Sequence, residues 1–294
     1  MSRKLVYAAA AIPFLAVRSI HRVIASPISV ARAAIVDRAY QLPSDAAEPF
    51  TLSSSGSTAV ILFHSWTSVP YEMRSLAQAL HAEGYTVIVP RLSGHGTVPQ
   101  DLEEVSPHHW CREALRVYDE TAATHETIIV GGMSLGALLA LHVASHRTPQ
   151  GVISLSAPLV FRTLRTSVAM MRLLRSVKRY DRKHYSPLAP YPPLMRVMTY
   201  QRFPIDSALR VIDFSDTVRS NISRIAAPLC VVQSRRDHLV APSSASVLLH
   251  HAAAPWHVQV TLDDAYHNFL TTPTHVRTVV PTIIDFVRRC ARRL

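Results

Sequence analysis

The residues with the clearest chemical potential are Gly132-Met133-Ser134-Leu135-Gly136. A β-branched run, Ile128-Ile129-Val130, comes before them, and good helix formers follow from Ala137 to Leu141. Ser134 therefore falls on a sharp strand-to-helix turn. G-x-S-x-G at such a turn exposes a serine hydroxyl, and the glycines remove Cβ atoms that would collide where strand and helix meet. The helix N-terminus adds free N–H groups and a dipole that favour developing negative charge. A serine hydroxyl is a poor nucleophile until an imidazole accepts its proton, and that imidazole needs a carboxylate to fix its tautomer. The sequence must then supply a histidine and an acid.

Partners drawn from later strand ends should follow in the order Ser, Asp, His. Asp237 follows the apolar run Leu229 to Gln233, and His267 follows the run His257 to Leu262. There are 16 histidines, so order has to discriminate among them. His64 and His95 both precede the serine. Asp263 and Asp264 share a loop with His267 and are poorly placed to face its far nitrogen, while Asp213 and Asp216 lie in or near an insertion. Ser134, Asp237 and His267 are the expected nucleophile, acid and base. Two N–H groups must also meet the developing oxyanion. Leu135, directly after the serine, supplies one, and Trp66, in the loop after the run ending at Phe63, supplies the other. His64 and Met133 are expected at the substrate.

These side chains need a scaffold. Thr58 to Phe63 reads as a buried parallel strand, and a helix is expected from about Tyr71 to Glu83, ended by Gly84 at its C′ position. A strand over Tyr85 to Pro90, a helix over Pro107 to Thr124 with Trp110, Ala114 and Val117 on one face, the serine turn and a strand over Val152 to Ser156 follow. Such alternation predicts an α/β fold: a mostly parallel central sheet with helices on both faces. It breaks from about 159 to 221, where no strand is expected. That stretch reads as a small helical cap insertion rich in arginine, with Met170, Leu173, Leu174 and Val177 spaced as an apolar helix face that packs on the main domain or meets substrate or lipid. The alternation then resumes with strands at 229–233 and 257–262, a helix over Ser243 to His251 and a last helix from about Thr274.

Residues 1–40 form a separate unit, a basic and apolar leader, and the domain with its insertion occupies 41–294. Arg3 and Lys4 precede an apolar run from Leu5 to Val17, which is shorter than the ~20 residues of a membrane span. The run is expected to associate with a membrane, as a signal or an anchor, or else to pack as a helix on the domain. Export or membrane association would follow from the first, and a cytoplasmic place from the last.

The chain has 294 residues, 48% of them hydrophobic, which suffices for one large core. Its three cysteines, Cys111, Cys230 and Cys290, match neither a disulfide framework nor a metal-ligand pattern. The formal charge of +11 attracts anions. No nucleic-acid motif accompanies it, so an anionic membrane surface is the expected basic partner and nucleic acid is not.

Several stretches in order carry a resemblance: LFHSWTSVPYEMRSLAQAL, PRLSGHG, GGMSLGALLAL, APLCVVQSRRDHLVAP and YHNF. From Thr58 onward the chain resembles the α/β-hydrolase superfamily, and within it the carboxylesterase and monoacylglycerol lipase branch with a small cap. Ser65 departs from the glycine usual after the histidine of the first stretch, and Ala137 stands where a further glycine is frequent. The resemblance implies hydrolysis of carboxylic esters, medium-chain or monoacylglycerol-like, through an acyl-enzyme, with Ser134, Asp237 and His267 as triad and Trp66 and Leu135 as oxyanion donors. A small-molecule ester or lipid is the implied substrate, and no cofactor or metal is implied. The same triad would also serve a thioesterase, an acyltransferase or a C–C hydrolase. A catalytically inactive membrane-associated binding protein is the alternative from another class. Nothing in the sequence sets the oligomeric state.

Overall fold

The computed structural model describes residues 42–162, 164–183 and 193–292. The leader expected over 1–40 lies outside these residues. The larger of two compact units comprises Pro43–Lys183 and Met198–Leu294. It holds every element below except one short helix, α5 (Pro193–Met198), which spans its border.

The strands are β1 (Phe50–Leu52), β2 (Thr58–Phe63), β3 (Thr86–Val89), β4 (Thr127–Met133), β5 (Gly151–Leu155), β8 (Leu229–Ser234) and β9 (His257–Leu262). They form one sheet in the order β1-β3-β2-β4-β5-β8-β9. Only the edge strand β1 is antiparallel to its neighbour; β2 and β4 run parallel with Ile61 opposite Val130. After β3 the chain crosses β2 to enter β4 on its other side. Crevices at such a reversal, beyond the carboxyl ends of the strands, are where open α/β sheets bind ligands.

Successive residues of a strand face opposite sides, and the core divides accordingly. Ile61 and Phe63 pack with Trp110 and Ala114 of α2 (Pro107–Ala122) and with Leu138 and Leu141 of α3 (Leu135–His146). Val60 and Leu62 pack with Leu76 and Leu80 of α1 (Arg74–Ala82) and with Val279, Ile283 and Phe286 of α8 (Pro273–Ala291). Nine of the residues of α3, from Leu135 to Ala144, are buried. That helix is apolar on all sides because it sits against the sheet and under other helices. Cys230 is fully buried in the second layer.

Between β5 and β8 lies the insertion. It contains α4 (Leu164–Leu174), β6 (Tyr180–Arg182), β7 (Arg202–Pro204) and α6 (Ile205–Ser220). The expectation of no strand here is corrected: β6 and β7 pair antiparallel, Asp181 opposite Phe203. Three-residue strands are too short for an alternating pattern to register. The apolar face expected on α4 is also not packed throughout. Leu173 is 71% exposed, and Val177, in the turn just beyond α4, is 82% exposed. The helix expected from Tyr71 opens with a 3₁₀ turn, Pro70–Met73, before α1 begins. α7 (Ser243–His251) and β9 have the bounds expected.

Candidate active site

Ser134 sits between β4 and α3 with φ of 56° and ψ of −113°, a left-handed conformation unusual for a residue with a side chain. Its N–H is held by Leu155 O at 2.9 Å. The glycines around it leave no alternative. A Cβ on Gly132 would lie 2.4 Å from Gly136 C, and one on Gly136 would lie 2.0 Å from Phe63 O. The strained turn is thus fixed by backbone packed against backbone.

His267, on the loop after β9, reaches Ser134 Oγ through Nε2 at 2.8 Å and Asp237 through Nδ1 at 2.7 Å. The ring is 4% exposed and Asp237 is fully buried. Burial alone would push the Asp237 carboxyl up, but the His267 ring and the N–H groups of Val240 and Leu239 hold it below the ordinary value. Those two N–H groups donate to Oδ1 at 2.9 Å each, leaving Oδ2 for the histidine. The loop carrying Asp237 is gripped from the insertion: the Arg162 guanidinium donates to the carbonyls of Asp237 and Arg235 at 2.7 and 2.6 Å. Ser134, Asp237 and His267, expected from three separate stretches, come together in one chain of hydrogen bonds.

The competing groups are engaged elsewhere. Asp263 pairs with Arg235, Asp264 with His275, Asp213 with Arg172 and Asp216 with Arg219. His95 is buried with its ring against His64 and Trp110. Burial drives the His64 pKa down to about 4. Its Nδ1 lies 3.0 Å from Ser65 O and its Nε2 accepts the Leu92 N–H at 3.1 Å. Expected at the substrate, His64 instead has both ring nitrogens committed to backbone, bracing the loop after β2 against the loop after β3. Met133, also expected at the substrate, is fully buried in the core on the α1 and α8 side.

Leu135 opens α3, so its N–H has no partner within the helix. Trp66 follows Ser65 on the loop after β2, and among the described residues its N–H makes no backbone hydrogen bond. Its indole donates to Ser207 Oγ of α6 at 3.1 Å and meets Phe203 edge to face at 5.1 Å. Those contacts fix the side chain while the backbone N–H stays available. Among the described residues no cluster of three or more His, Cys, Asp and Glu side chains could hold a metal ion.

Sequence reasoning missed the group beneath this loop. Glu72, 3% exposed, accepts the Ser65 N–H at 2.6 Å, the Ser65 hydroxyl at 3.0 Å and the Asn268 amide at 2.6 Å. One carboxylate therefore ties the Trp66 loop to the residue after His267. Burial pushes its pKa up, and the three donors oppose that. Ser65, which departs from the glycine common in the resemblance, supplies two of those donors. The only sequence signal was Glu72 itself, an acid in the first turn of an otherwise ordinary helix start.

The sequence pattern of the alpha/beta hydrolase family matches residues 60–280, and the chain belongs to that family. It is 30% identical over 226 residues to the thermostable monoacylglycerol lipase of Bacillus sp. (strain H-257), covering 75% of this chain and 86% of that one. It is 26% identical over 203 residues to a carboxylesterase of Bacillus subtilis (strain 168), covering 68% and 80%. Among solved structures it is similar to one described for the metagenome-derived lipolytic enzymes LipS and LipT, with a TM-score of 0.74 at 21% identity, covering 85% of this chain and all of the other.

Proposed function

We propose that Ser134, His267 and Asp237 are the nucleophile, base and acid of a serine hydrolase, with Trp66 and Leu135 as its oxyanion donors. The enzyme cleaves carboxylic esters. The single observation that carries the residue roles is the unbroken chain from Ser134 Oγ through His267 to Asp237, at 2.8 and 2.7 Å. His267 Nε2 takes the hydroxyl proton as Ser134 Oγ attacks the ester carbonyl, and Asp237 stabilises the imidazolium that forms. The oxyanion is met by the N–H groups of Trp66 and Leu135. His267 then protonates the leaving alcohol, and water activated by the same imidazole releases the acid. The similar monoacylglycerol lipase and carboxylesterase support carboxylic esters, monoacylglycerol among them, as substrates, and esters of medium-length or single acyl chains are our reading of that class. Those relatives are ester hydrolases, so thioester, acyl-transfer and C–C chemistry are not favoured.

The test is a p-nitrophenyl ester series of increasing acyl length with wild type and Ser134→Ala. Hydrolysis that vanishes in the variant, with fluorophosphonate labelling of wild type alone, supports the assignment. A folded wild type that neither cleaves any ester nor takes the label removes it.

A second reading, contact of the insertion with an anionic lipid surface, is favoured by one observation. Leu173 and Val177 stand exposed on an insertion that carries 12 Lys and Arg against 4 Asp and Glu over 159–221. Among the described residues no helix is long and apolar enough to cross a membrane. Co-sedimentation with phosphatidylglycerol vesicles should fall for Leu173→Ser/Val177→Ser, and unchanged binding would exclude this surface.

A further inference from the structure

Several cations of the insertion lie beside an acid. Arg172 lies 3.1 Å from Asp213, Arg175 3.9 Å from Asp206 and Lys178 2.8 Å from Asp181, and Arg179 pairs with Glu103. Lys183, at the end of the β6 segment, differs. Among the described residues no carboxylate oxygen lies within ion-pair distance of its Nζ, which donates instead to a neutral hydroxyl, Thr67 Oγ1, at 2.6 Å.

Thr67 places that ammonium. It follows Trp66 directly, is 1% exposed and holds a φ of 64°, so the hydroxyl is fixed in the loop expected to bind the reacting carbonyl. Burial pushes the Lys183 pKa down to about 7, with only the Glu72 charge opposing it. Both Glu72 oxygens are already taken by Ser65 and Asn268. The Lys183 charge is felt in turn by His95, on the loop after β3, and by His238, whose ring lies 6.2 Å from that of His267. The insertion thus sets one ammonium on the loop after β2, one residue beyond Trp66. A partly buried cation without a counter-charge beside it is unfavourable, and a neutral glyceride offers none.

We propose that Lys183 is an anion-recognition residue that selects esters carrying a second, negatively charged group, a carboxylate or a phosphate, near the scissile bond. The inference rests on the ester-hydrolase reading and narrows its substrate class. An ammonium has three donors; one goes to Thr67, and among the described residues no partner takes the others. Such charge-assisted bonds strengthen where water is thinned out. Lysine suits the task as a point charge that accepts either anion without a fixed fork geometry. The overall charge of +11 would draw such substrates in.

The experiment measures kcat/KM for matched esters. One pair is p-nitrophenyl hexanoate against the p-nitrophenyl monoester of adipic acid, which places a carboxylate on the acyl side. The other is 1-monoacylglycerol against 1-acylglycerol 3-phosphate, which places a phosphate on the alcohol side. Wild type is expected to favour the anionic member of at least one pair by about tenfold or more, the size of one charge-assisted hydrogen bond. Lys183→Gln keeps a donor for Thr67 and loses the charge, and it should remove most of that ratio, whereas Lys183→Arg should retain part of it. The wild-type ratio should also decline as pH rises through neutrality, because Lys183 loses its proton there; His95, His238, Glu72 and the triad act on both members of a pair. Neutral esters cleaved as well as anionic ones, or equal ratios in wild type and Lys183→Gln, would overturn the proposal and leave ester hydrolysis standing. Should no ester be cleaved, adipate binding to Ser134→Ala measured by calorimetry decides: a Kd weakened about tenfold by adding Lys183→Gln supports the anion site, and an unchanged Kd overturns it.

Discussion

The floor of the site and the insertion are held by different forces. On the floor, Ser134, Asp237 and His267 sit at strand ends, buried or nearly so, with hydrogen bonds anchored on backbone: Leu155 O for the serine turn and the Leu239 and Val240 N–H groups for the acid. Behind them stand two large apolar layers. The insertion lends Val211, Phe214 and Val218 of α6 to the first of these layers, but beyond them it has one small cluster of its own among the described residues, Val168, Ile205, Leu209 and Ile212, and its surface is laced by exposed ion pairs. Exposed pairs contribute about 0–1 kcal/mol each. The contrast shows where rigidity is required. Developing charge must be met by dipoles already in place, whereas a specificity element needs only to present side chains such as Trp66's partner Ser207, or Lys183, over a fixed floor.

The contrast is broken most severely at the acid. Asp237→Asn should lower kcat by about 10⁴-fold, as expected when a histidine is held in the wrong tautomer, measured on a p-nitrophenyl ester with circular dichroism to check folding. The same variant tests linkage. The folded state holds the Asp237 carboxyl below its ordinary pKa, so its stabilisation is complete above that ordinary value and is lost as pH falls through the depressed one. The acid limb of Tm against pH should therefore flatten in Asp237→Asn, and an unaltered limb would show that Asp237 is not what titrates there.

Next in size is Gly136→Ala. A Cβ placed 2.0 Å from Phe63 O forces strand and helix apart, and unfolding by urea should report a loss of about 3 kcal/mol. Glu72→Gln comes third. A glutamine still accepts from Ser65 but offers an N–H to the Asn268 amide, so the tie between the two loops opens. A misplacement of this kind lowers kcat by up to about 10², and KM should change little. Adding Asn268→Asp restores donor against acceptor across the same gap and should recover part of kcat; no recovery would mean that Glu72 acts by its charge alone. The smallest effect belongs to the insertion. Arg172→Gln removes an ion pair whose partners are both more than half exposed, and the free energy of unfolding by urea should fall by no more than ~0.5 kcal/mol. A large loss there would show that the insertion is as tightly built as the floor.

Much of the floor was legible before any coordinates, because its signals are local. The run Thr58 to Phe63 has a strand's composition, Gly84 ends a helix, and Gly132 and Gly136 mark a turn that tolerates no side chain. Order along the chain set aside His64 and His95, and position in the loops after later strands pointed to Asp237 and His267. The insertion was harder to read. Its strands β6 and β7 are three residues each, and Leu173 and Val177, spaced for burial, are exposed because no neighbouring element covers them. His64, expected at the substrate, has both ring nitrogens on backbone, which only the positions of Ser65 and Leu92 in the fold reveal.

By itself, then, the sequence determined the sheet-and-helix alternation and the serine turn, since each depends on composition and spacing within a few residues. The tertiary structure alone decided the partnerships between distant stretches. Glu72 and Asn268 are separated by 196 positions, and Thr67 and Lys183 by 116. No periodicity relates such pairs. They meet because parallel strands bring the loops at their carboxyl ends to one edge, where burial removes water and makes each unpaired donor or acceptor seek whatever the fold has placed beside it.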